Sequence, residues 1–385
     1  MRTSNNSTSK KMTKTFFKFS SYLANNNKTG AFQIASTLAI CITCWSTFSL
    51  ISNSQLNALA KVFVSVAPLT LLSLLMGRAF ALMHECGHGA LFKSRKANRS
   101  AAILLGWITL VPQISWSRNH RHHHNNTGNW DVFHGPLSYL TIDKYNSLGA
   151  SKKFIYRLKR HWASFFIGSF WYFNIKFKVD SLLLLVITLL KIPEDQENLL
   201  SENNSRGRRF GKIFKSAKRI KSQYRGSRME VADLYINNLM TLLIAAFLAS
   251  TVGIKTFFVA YFYTTTLYGF WLICIFFLQH NFKNSYASKA CEWDPRQGII
   301  KGTSDLSLPG WAHWISLNIG YHSAHHLCDK IPNYNLKKFS EANKDLLEGV
   351  AKISLKNCGK HFNYIAWDHE KSKAIRIAAE KESPT

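Results

Sequence analysis

Three short segments of the chain hold most of the histidines that could bind a metal. They are His84-Glu85-Cys86-Gly87-His88, His120-Arg121-His122-His123-His124 and His322-Ser323-Ala324-His325-His326. On a helix, residues three or four positions apart share a face. This spacing therefore groups eight imidazoles, those of His84, His88, His120, His123, His124, His322, His325 and His326. His122 points away from that face. Because neutral imidazole is the commonest metal ligand, eight of them predict a site for more than one metal ion.

Two metals are compatible with these residues. The first segment alone matches H-E-x-x-H, the helix of zinc metalloproteases, in which Glu85 is the general base. A single zinc needs only three protein ligands and an open position, which leaves the second and third segments without a role. Two irons use all the histidines and permit chemistry with O₂. On that interpretation Glu85 accepts a hydrogen bond from the N–H of a metal-bound imidazole.

Four apolar segments have the length of a membrane-spanning helix, which is roughly 20 residues. They cover residues 31–52, 62–83, 239–254 (from 231 if Asp233 lies at the interface) and 256–279. Short polar gaps pair them into two hairpins. Residues 162–190 are also apolar, but Lys176, Lys178 and Asp180 lie in the middle. A charge at bilayer depth costs several kcal/mol, so this segment is expected to lie on the membrane. The predicted fold class is an all-α integral membrane protein: four transmembrane helices in two hairpins with a cytosolic helical cap.

The charge balance indicates an anionic partner. Lys and Arg number 49 against 21 Asp and Glu, which gives a net charge of +28. The long apolar segments make that partner an anionic phospholipid surface and not a nucleic acid. A dense basic run at residues 206–228 is predicted to anchor the chain to anionic lipid. Hydrophobic residues at 46% exclude a disordered chain, and seven scattered cysteines exclude a disulfide scaffold.

The basic residues also predict an orientation. They concentrate in the termini and in the long segments between the hairpins, and by the positive-inside rule these face the cytoplasm. The expected organisation is a cytosolic tail (residues 1–30), a first hairpin (31–83), a segment with two of the histidine clusters (84–230), a second hairpin (231–279) and a C-terminal segment with the third (280–385). The site would then lie on the cytoplasmic side.

These residues resemble the membrane fatty acid desaturases, over roughly residues 60–340. The resemblance rests on the three histidine segments, on Val111-Pro112 and Ser115-Trp116 before the second, and on Asn125-Asn126-Thr127-Gly128 after it. It continues in Leu278-Gln279-His280, in Glu292-Trp293-Asp294 and in Ile331-Pro332-Asn333-Tyr334-Asn335. Within the family, the motifs are most similar to the acyl-lipid omega-6 (Δ12, oleate-type) group.

The resemblance implies a non-haem di-iron centre that uses O₂ and two electrons from a separate carrier, either a ferredoxin or a cytochrome b5. It places the eight clustered histidines on iron ligands and adds His280 as a ninth. Some relatives have an Asn one turn before that histidine, where this chain has Phe276; Asn318, one turn before His322, is a possible substitute in the second shell. Four tryptophans are candidates for lining a substrate tunnel: Trp107, Trp116, Trp130 and Trp311.

The implied reaction introduces a cis double bond, at Δ12, into a mono-unsaturated acyl chain on a membrane lipid. Related di-iron hydroxylases and ketolases share these motifs and remain the first alternative. The zinc metalloprotease is the second.

Overall fold

The computed structural model describes residues 19–132, 139–189, 223–224 and 227–377. In chain order its helices are α1 Asn27–Asn53, α2 Ala58–His88, α3 Arg95–Thr109, α4 Gln113–Asn125, α5 Ile142–Asn146, α6 Ala150–Arg160, α7 Phe165–Phe170, α8 Phe177–Leu189, α9 Arg228–Val252, α10 Ile254–His280, α11 Pro295–Gly302, α12 Gly310–Ile315, α13 His322–Leu327, α14 Asn333–Ala342 and α15 Cys358–His361. The strands are β1 Leu140–Thr141, β2 Ser304–Ser307, β3 Ala351–Ser354, β4 Tyr364–Asp368 and β5 Lys373–Arg376.

Four of the described helices, α1, α2, α9 and α10, are long and apolar enough to cross a membrane. The side chains of Asn26, Asn57 and Ser227 each accept a backbone N–H at the start of a helix, which satisfies donors that a first turn leaves free. Gly253 alone separates α9 from α10, and its φ of 80° lies in the left-handed region that glycine adopts without strain. The predicted four helices in two pairs are confirmed, and the chain is a multi-pass membrane protein.

A sharp bend between α3 and α4 directs the second histidine segment toward the end of α2. The two helices meet at 102°. Two polar residues of α9 hold the bend: the Nδ2 of Asn237 donates to the Val111 carbonyl at 3.1 Å, and the Oδ2 of Asp233 accepts the Ile114 N–H at 2.8 Å. Both side chains are buried, so these bonds satisfy backbone groups that a helix break leaves without partners.

The segment from 162 to 189 is not among the four long apolar helices. It comprises a 3₁₀ turn (Trp162–Ser164), α7, a π-helical stretch (Trp171–Lys176) and α8. It packs on α10, where the Ser169 hydroxyl donates to the Thr266 carbonyl at 3.1 Å. Two of the three central charges pair, with Lys176 Nζ 2.6 Å from Asp180 Oδ2, whereas the buried Lys178 Nζ has no hydrogen-bond partner among the described residues. Its position on the membrane surface stays a prediction.

The rest of the described chain forms a mainly helical region with two small sheets. In one sheet β1 and β5 flank β4, and in the other β2 pairs in parallel with β3. The sequence did not predict these strands, since runs of two to five residues carry too little periodicity. The tail up to residue 18, His134 and nearly all of the basic run at 206–228 lie outside the described residues.

Candidate metal centre

Four elements carry the histidines of the site. His84 and His88 lie in the last turns of α2, and His280 is the last residue of α10. The bent α4 carries His120, His123 and His124, and the short α13 carries His322, His325 and His326. The structure brings all nine into two groups, within each of which one ligand atom per residue lies within 4.8 Å of the others. His122 belongs to neither group, and its side chain is exposed.

The first group contains five histidines: His84, His88, His120, His124 and His325. Their Nε2 atoms converge. The Nε2 of His84 lies 2.8 Å from that of His120 and 3.2 Å from that of His88. The Nε2 of His124 lies 3.0 Å from that of His120 and 3.1 Å from that of His325. A neutral imidazole has only one N–H, so this cluster cannot be satisfied by hydrogen bonds among its own members.

The second group contains four histidines: His123, His280, His322 and His326. The Nε2 atoms of His280 and His322 lie 3.0 Å apart. The Nε2 of His326 is buried and has no hydrogen-bond partner within the described part of the chain. The two groups are adjacent, since the rings of His124 and His326 stack with centroids 4.0 Å apart. The arrangement therefore has two neighbouring positions for metal ions, one with five donors and one with four.

The donor set fits metal ions. Imidazole nitrogens bind first-row metals at about 2.0–2.1 Å, and two such ligands at right angles lie roughly 3.0 Å apart. The observed spacings between Nε2 atoms are close to that value. Burial, followed by the neighbouring histidines, holds the pKa of His322, His325 and His326 well below its usual range. Their imidazoles are therefore neutral at pH 7 and keep the lone pair that a metal requires.

The outward-facing nitrogens of several histidines have partners that fix the rings. The Nδ1 of His88 lies 2.9 Å from Asp329 Oδ2, and the Nδ1 of His84 lies 3.7 Å from Glu85 Oε1. His280 hydrogen-bonds the backbone of Gly302, and the Thr127 hydroxyl lies 3.4 Å from His326 Nδ1. Such partners orient metal-binding imidazoles and set their tautomer.

Sequence reasoning missed Asp329 and Thr127. The signal for Asp329 is its position three residues after the third histidine segment, in a chain that is poor in acids. Thr127 lies in Asn125-Asn126-Thr127-Gly128, after the second histidine segment, but no function was predicted for it.

Glu85 and Asn318, which the sequence predicts to support the metal ligands, both bond to the backbone of Asn333. The Oε2 of Glu85 accepts the Asn333 N–H at 2.8 Å, and the Nδ2 of Asn318 donates to the Asn333 carbonyl at 3.1 Å. Glu85 is buried, and this hydrogen bond ties the end of α2 to the start of α14. A carboxylate held in this way supports an orienting function and not that of a general base. The role of Asn318 toward a metal stays a prediction.

The first group borders on aromatic residues. Trp116 stacks on His120, with centroids 4.7 Å apart, and meets Phe80 edge-on at 5.0 Å. Phe80 in turn contacts Phe276 at 6.0 Å. Trp107 lines an apolar cleft of about 700 Å³ among the long helices. Trp130 stacks on Trp367 beside the second group, whereas Trp311 is 60% exposed.

The model of the family described as fatty acid desaturase matches residues 61–353 of this chain. That match covers most of the chain and includes every histidine of the two groups. The chain therefore belongs to the fatty acid desaturase family, and it is an O₂-dependent oxidoreductase.

Known relatives agree with that assignment. The chain is 27% identical to a fatty acid desaturase of Bacillus subtilis over 312 residues, which are 80% of this chain and 76% of the relative. It is 23% identical to the sn-1 oleoyl-lipid 12-desaturase of Synechocystis sp. over 265 residues, 67% of this chain and 62% of that enzyme. An sn-1 acyl-lipid omega-3 desaturase (ferredoxin) of the same organism is 26% identical over 277 residues, 70% of this chain and 64% of that enzyme.

Proposed function

We propose that this chain introduces a cis double bond into an acyl chain of a membrane lipid, at a non-haem di-iron centre held by the nine histidines. The observation that carries the proposal is the convergence of these imidazoles into two adjacent groups of five and four. Nitrogen donors of this kind suit iron. A bound pair of irons would supply the oxidising chemistry that side chains lack, because an acyl methylene has neither an acidic proton nor a leaving group.

The protein's own contribution is to position the centre and the acyl chain. Asp329 and Gly302 hold the rings of His88 and His280, and the Glu85 carboxylate lies 3.7 Å from the ring of His84. Trp116 and Phe80 provide an apolar surface directly against the first group. Since α2 reaches the site from the bilayer, an acyl chain can approach this surface without leaving an apolar environment. A chain held against the aromatic rings presents a fixed pair of carbons, which is how geometry selects the bond.

The finer assignment is Δ12, on a chain that already carries one double bond. Its support is the second histidine segment with Asn-Thr-Gly after it, together with the likeness to an oleoyl-lipid 12-desaturase. One buried CH₂ contributes about 0.8 kcal/mol, so contacts alone discriminate weakly between neighbouring carbons. The shape of the aromatic surface must therefore select the position.

The proposal also includes an electron donor and an orientation in the membrane. An external one-electron carrier is required, and one relative is named as an sn-1 acyl-lipid omega-3 desaturase (ferredoxin). We place the site and both termini on the cytoplasmic side, since the basic residues concentrate there. The segments 1–30, 84–230 and 280–385 would then be cytosolic, and the anionic lipid surface would attract their charge.

Expression in a host that makes oleate but no linoleate tests the function. Linoleate in the extracted lipids is the expected result, and the His325→Ala variant serves as the inactive control. A new bond in a saturated chain would refute Δ12 and leave desaturation standing. A hydroxylated or keto product would overturn the reaction type. Metal analysis of the purified protein should give about two irons per chain, and a single tightly bound zinc would contradict the di-iron centre.

A further inference from the structure

A small cavity lies against the second histidine group, and Trp116 is not among its lining residues. Its volume is about 40 Å³, and His280 forms part of its wall. Its lining includes buried residues, among them Asn281 with 0% exposure. It also includes half-buried residues such as Trp130 and Tyr286. The lining thus contains both partly solvent-exposed residues and one of the proposed iron ligands.

Two residues that line this cavity carry three polar atoms with no hydrogen-bond partner among the residues that the structure describes. They are the Nδ2 and Oδ1 of Asn281 and the hydroxyl of Tyr139, whose side chain is 8% exposed. Buried polar groups without partners cost free energy, and natural proteins satisfy them with ordered water when there is room. A water needs about 10–15 Å³ of accessible volume and two to four polar partners. The volume of the cavity is sufficient for at least one water, and its lining residues carry the polar groups that such a water needs.

The cavity reaches the second group at two histidines. His280 lies in its wall, and Thr127 connects it with His326. The Thr127 hydroxyl also donates to the His123 carbonyl at 2.8 Å. Water held by Asn281 and Tyr139 would therefore lie next to the proposed centre, beside polar groups that reach two of its histidines.

The proposed reaction requires protons from solvent. One –CH₂–CH₂– unit, one O₂, two electrons and two protons give –CH=CH– and two H₂O. The acyl chain supplies two hydrogens, the carrier supplies the two electrons, and the two remaining protons have no source in the substrate. The rings of Trp116 and Phe80 do not supply them, since an aromatic hydrocarbon surface does not relay protons.

We propose that the cavity holds ordered water bound by Asn281 and Tyr139, and that this water delivers protons from solvent to the centre at His280. This inference rests on the proposed function for its role in the reaction, but the water site does not depend on it. Asn281 and Tyr139 act as positioning residues, because they hold the water and do not touch the substrate.

The first test is structural and needs no turnover. A high-resolution structure of the purified protein should show ordered water within hydrogen-bond distance of the Asn281 amide and the Tyr139 hydroxyl. The Asn281→Leu variant should lose that density, since leucine has a similar size and no polar atom. Absence of water from the wild-type cavity would overturn the proposal.

The second test measures how tightly O₂ consumption is coupled to double-bond formation. In Asn281→Leu, turnover should fall on the order of tenfold. Loss of a side chain that itself transfers the proton costs at least about a hundredfold, and Asn281 only positions the water. The fraction of consumed O₂ that appears as double bonds should fall, hydrogen peroxide should rise, and the solvent isotope effect should increase. Tyr139→Phe, which removes only the hydroxyl, should change the same quantities in the same direction. Asn281→Ser keeps a hydrogen-bonding group and should restore coupling.

A matched control is Asn343→Leu. Asn343 is also buried, and its Oδ1 lacks a partner among the residues described, but it lies after α14 and outside the cavity. It should lower stability without changing coupling or peroxide release. Iron content should stay the same in every variant. A fully coupled Asn281→Leu desaturase would refute the proton route alone, whereas a protein that forms no double bond in any lipid would refute the function and leave the water site standing.

Discussion

The two halves of the metal centre lie in different surroundings. The first group, which contains five histidines, borders on Trp116 and Phe80, whose rings lead toward the long apolar helices. The second group borders on a cavity with Asn281, Tyr139 and Thr127. One half thus faces hydrocarbon and the other faces polar groups. We infer that the two sides have different roles: the acyl chain approaches beside the first group, and protons arrive beside the second.

The largest expected effect separates the two groups. His325→Ala removes a donor of the first group, and His326→Ala removes one of the second. Each should abolish desaturation, because both metal positions are needed, and each should lower iron from about two to about one per chain. Iron content and product analysis check this. His122→Ala, on an exposed side chain, is the control and should keep both irons. Loss of both irons in each variant would show that the two positions do not bind separately.

The next effect concerns the orientation of the first group. Asp329→Asn removes the carboxylate that holds His88 Nδ1 at 2.9 Å. Loss of such a partner costs roughly 10–100-fold in metal affinity or activity, so iron should dissociate more readily from the first position. Competition with a chelator measures this. Asp368→Asn, whose carboxylate pairs with Lys371 at 3.2 Å, is the control, and equal iron loss there would contradict a specific role for Asp329.

A smaller effect is expected on the apolar side. Trp116→Ala removes the ring that stacks on His120 and contacts Phe80. Turnover should fall about tenfold, because loose positioning weakens catalysis, and the products should include bonds at neighbouring positions. Peroxide release should change less than in Asn281→Leu. Trp311→Ala, at a 60% exposed residue, should stay within about twofold of wild type. A similar loss at Trp311 would place the acyl chain elsewhere.

The smallest effect lies far from both groups. Gly253→Ala places a side chain on a residue with φ of 80°, which costs about 1–2 kcal/mol. The second hairpin should lose that stability in a denaturation experiment, while iron content and product position stay unchanged. A change in product position would mean that the hairpin turn influences the centre.

Much of the architecture could be predicted because it depends on local properties. Uninterrupted apolar runs of bilayer length predict membrane helices wherever they occur, since no other hydrogen-bonded structure suits a single apolar segment. The four observed helices start and end within a few residues of the predicted segments, except that α9 begins at Arg228, before either predicted start. Asp233 and Asn237 explain the extension, because they lie inside α9 and bond to the α3–α4 bend. The bend itself could not be predicted, since its partners are more than a hundred residues away.

The sequence by itself determined which residues assemble: the eight clustered histidines by their spacing, and His280 by its likeness to the family. Only the tertiary structure decided which of these histidines belong to the first group and which to the second. Relative to His120, a helix places His124 about 40° to one side and His123 about 60° to the other. The sequence shows these as one face, but each edge of that face meets a different neighbour, so His124 joins the first group and His123 the second. Asp329, Asn281 and Tyr139 acquire their places in the same way, because contacts across the fold are not encoded in local spacing.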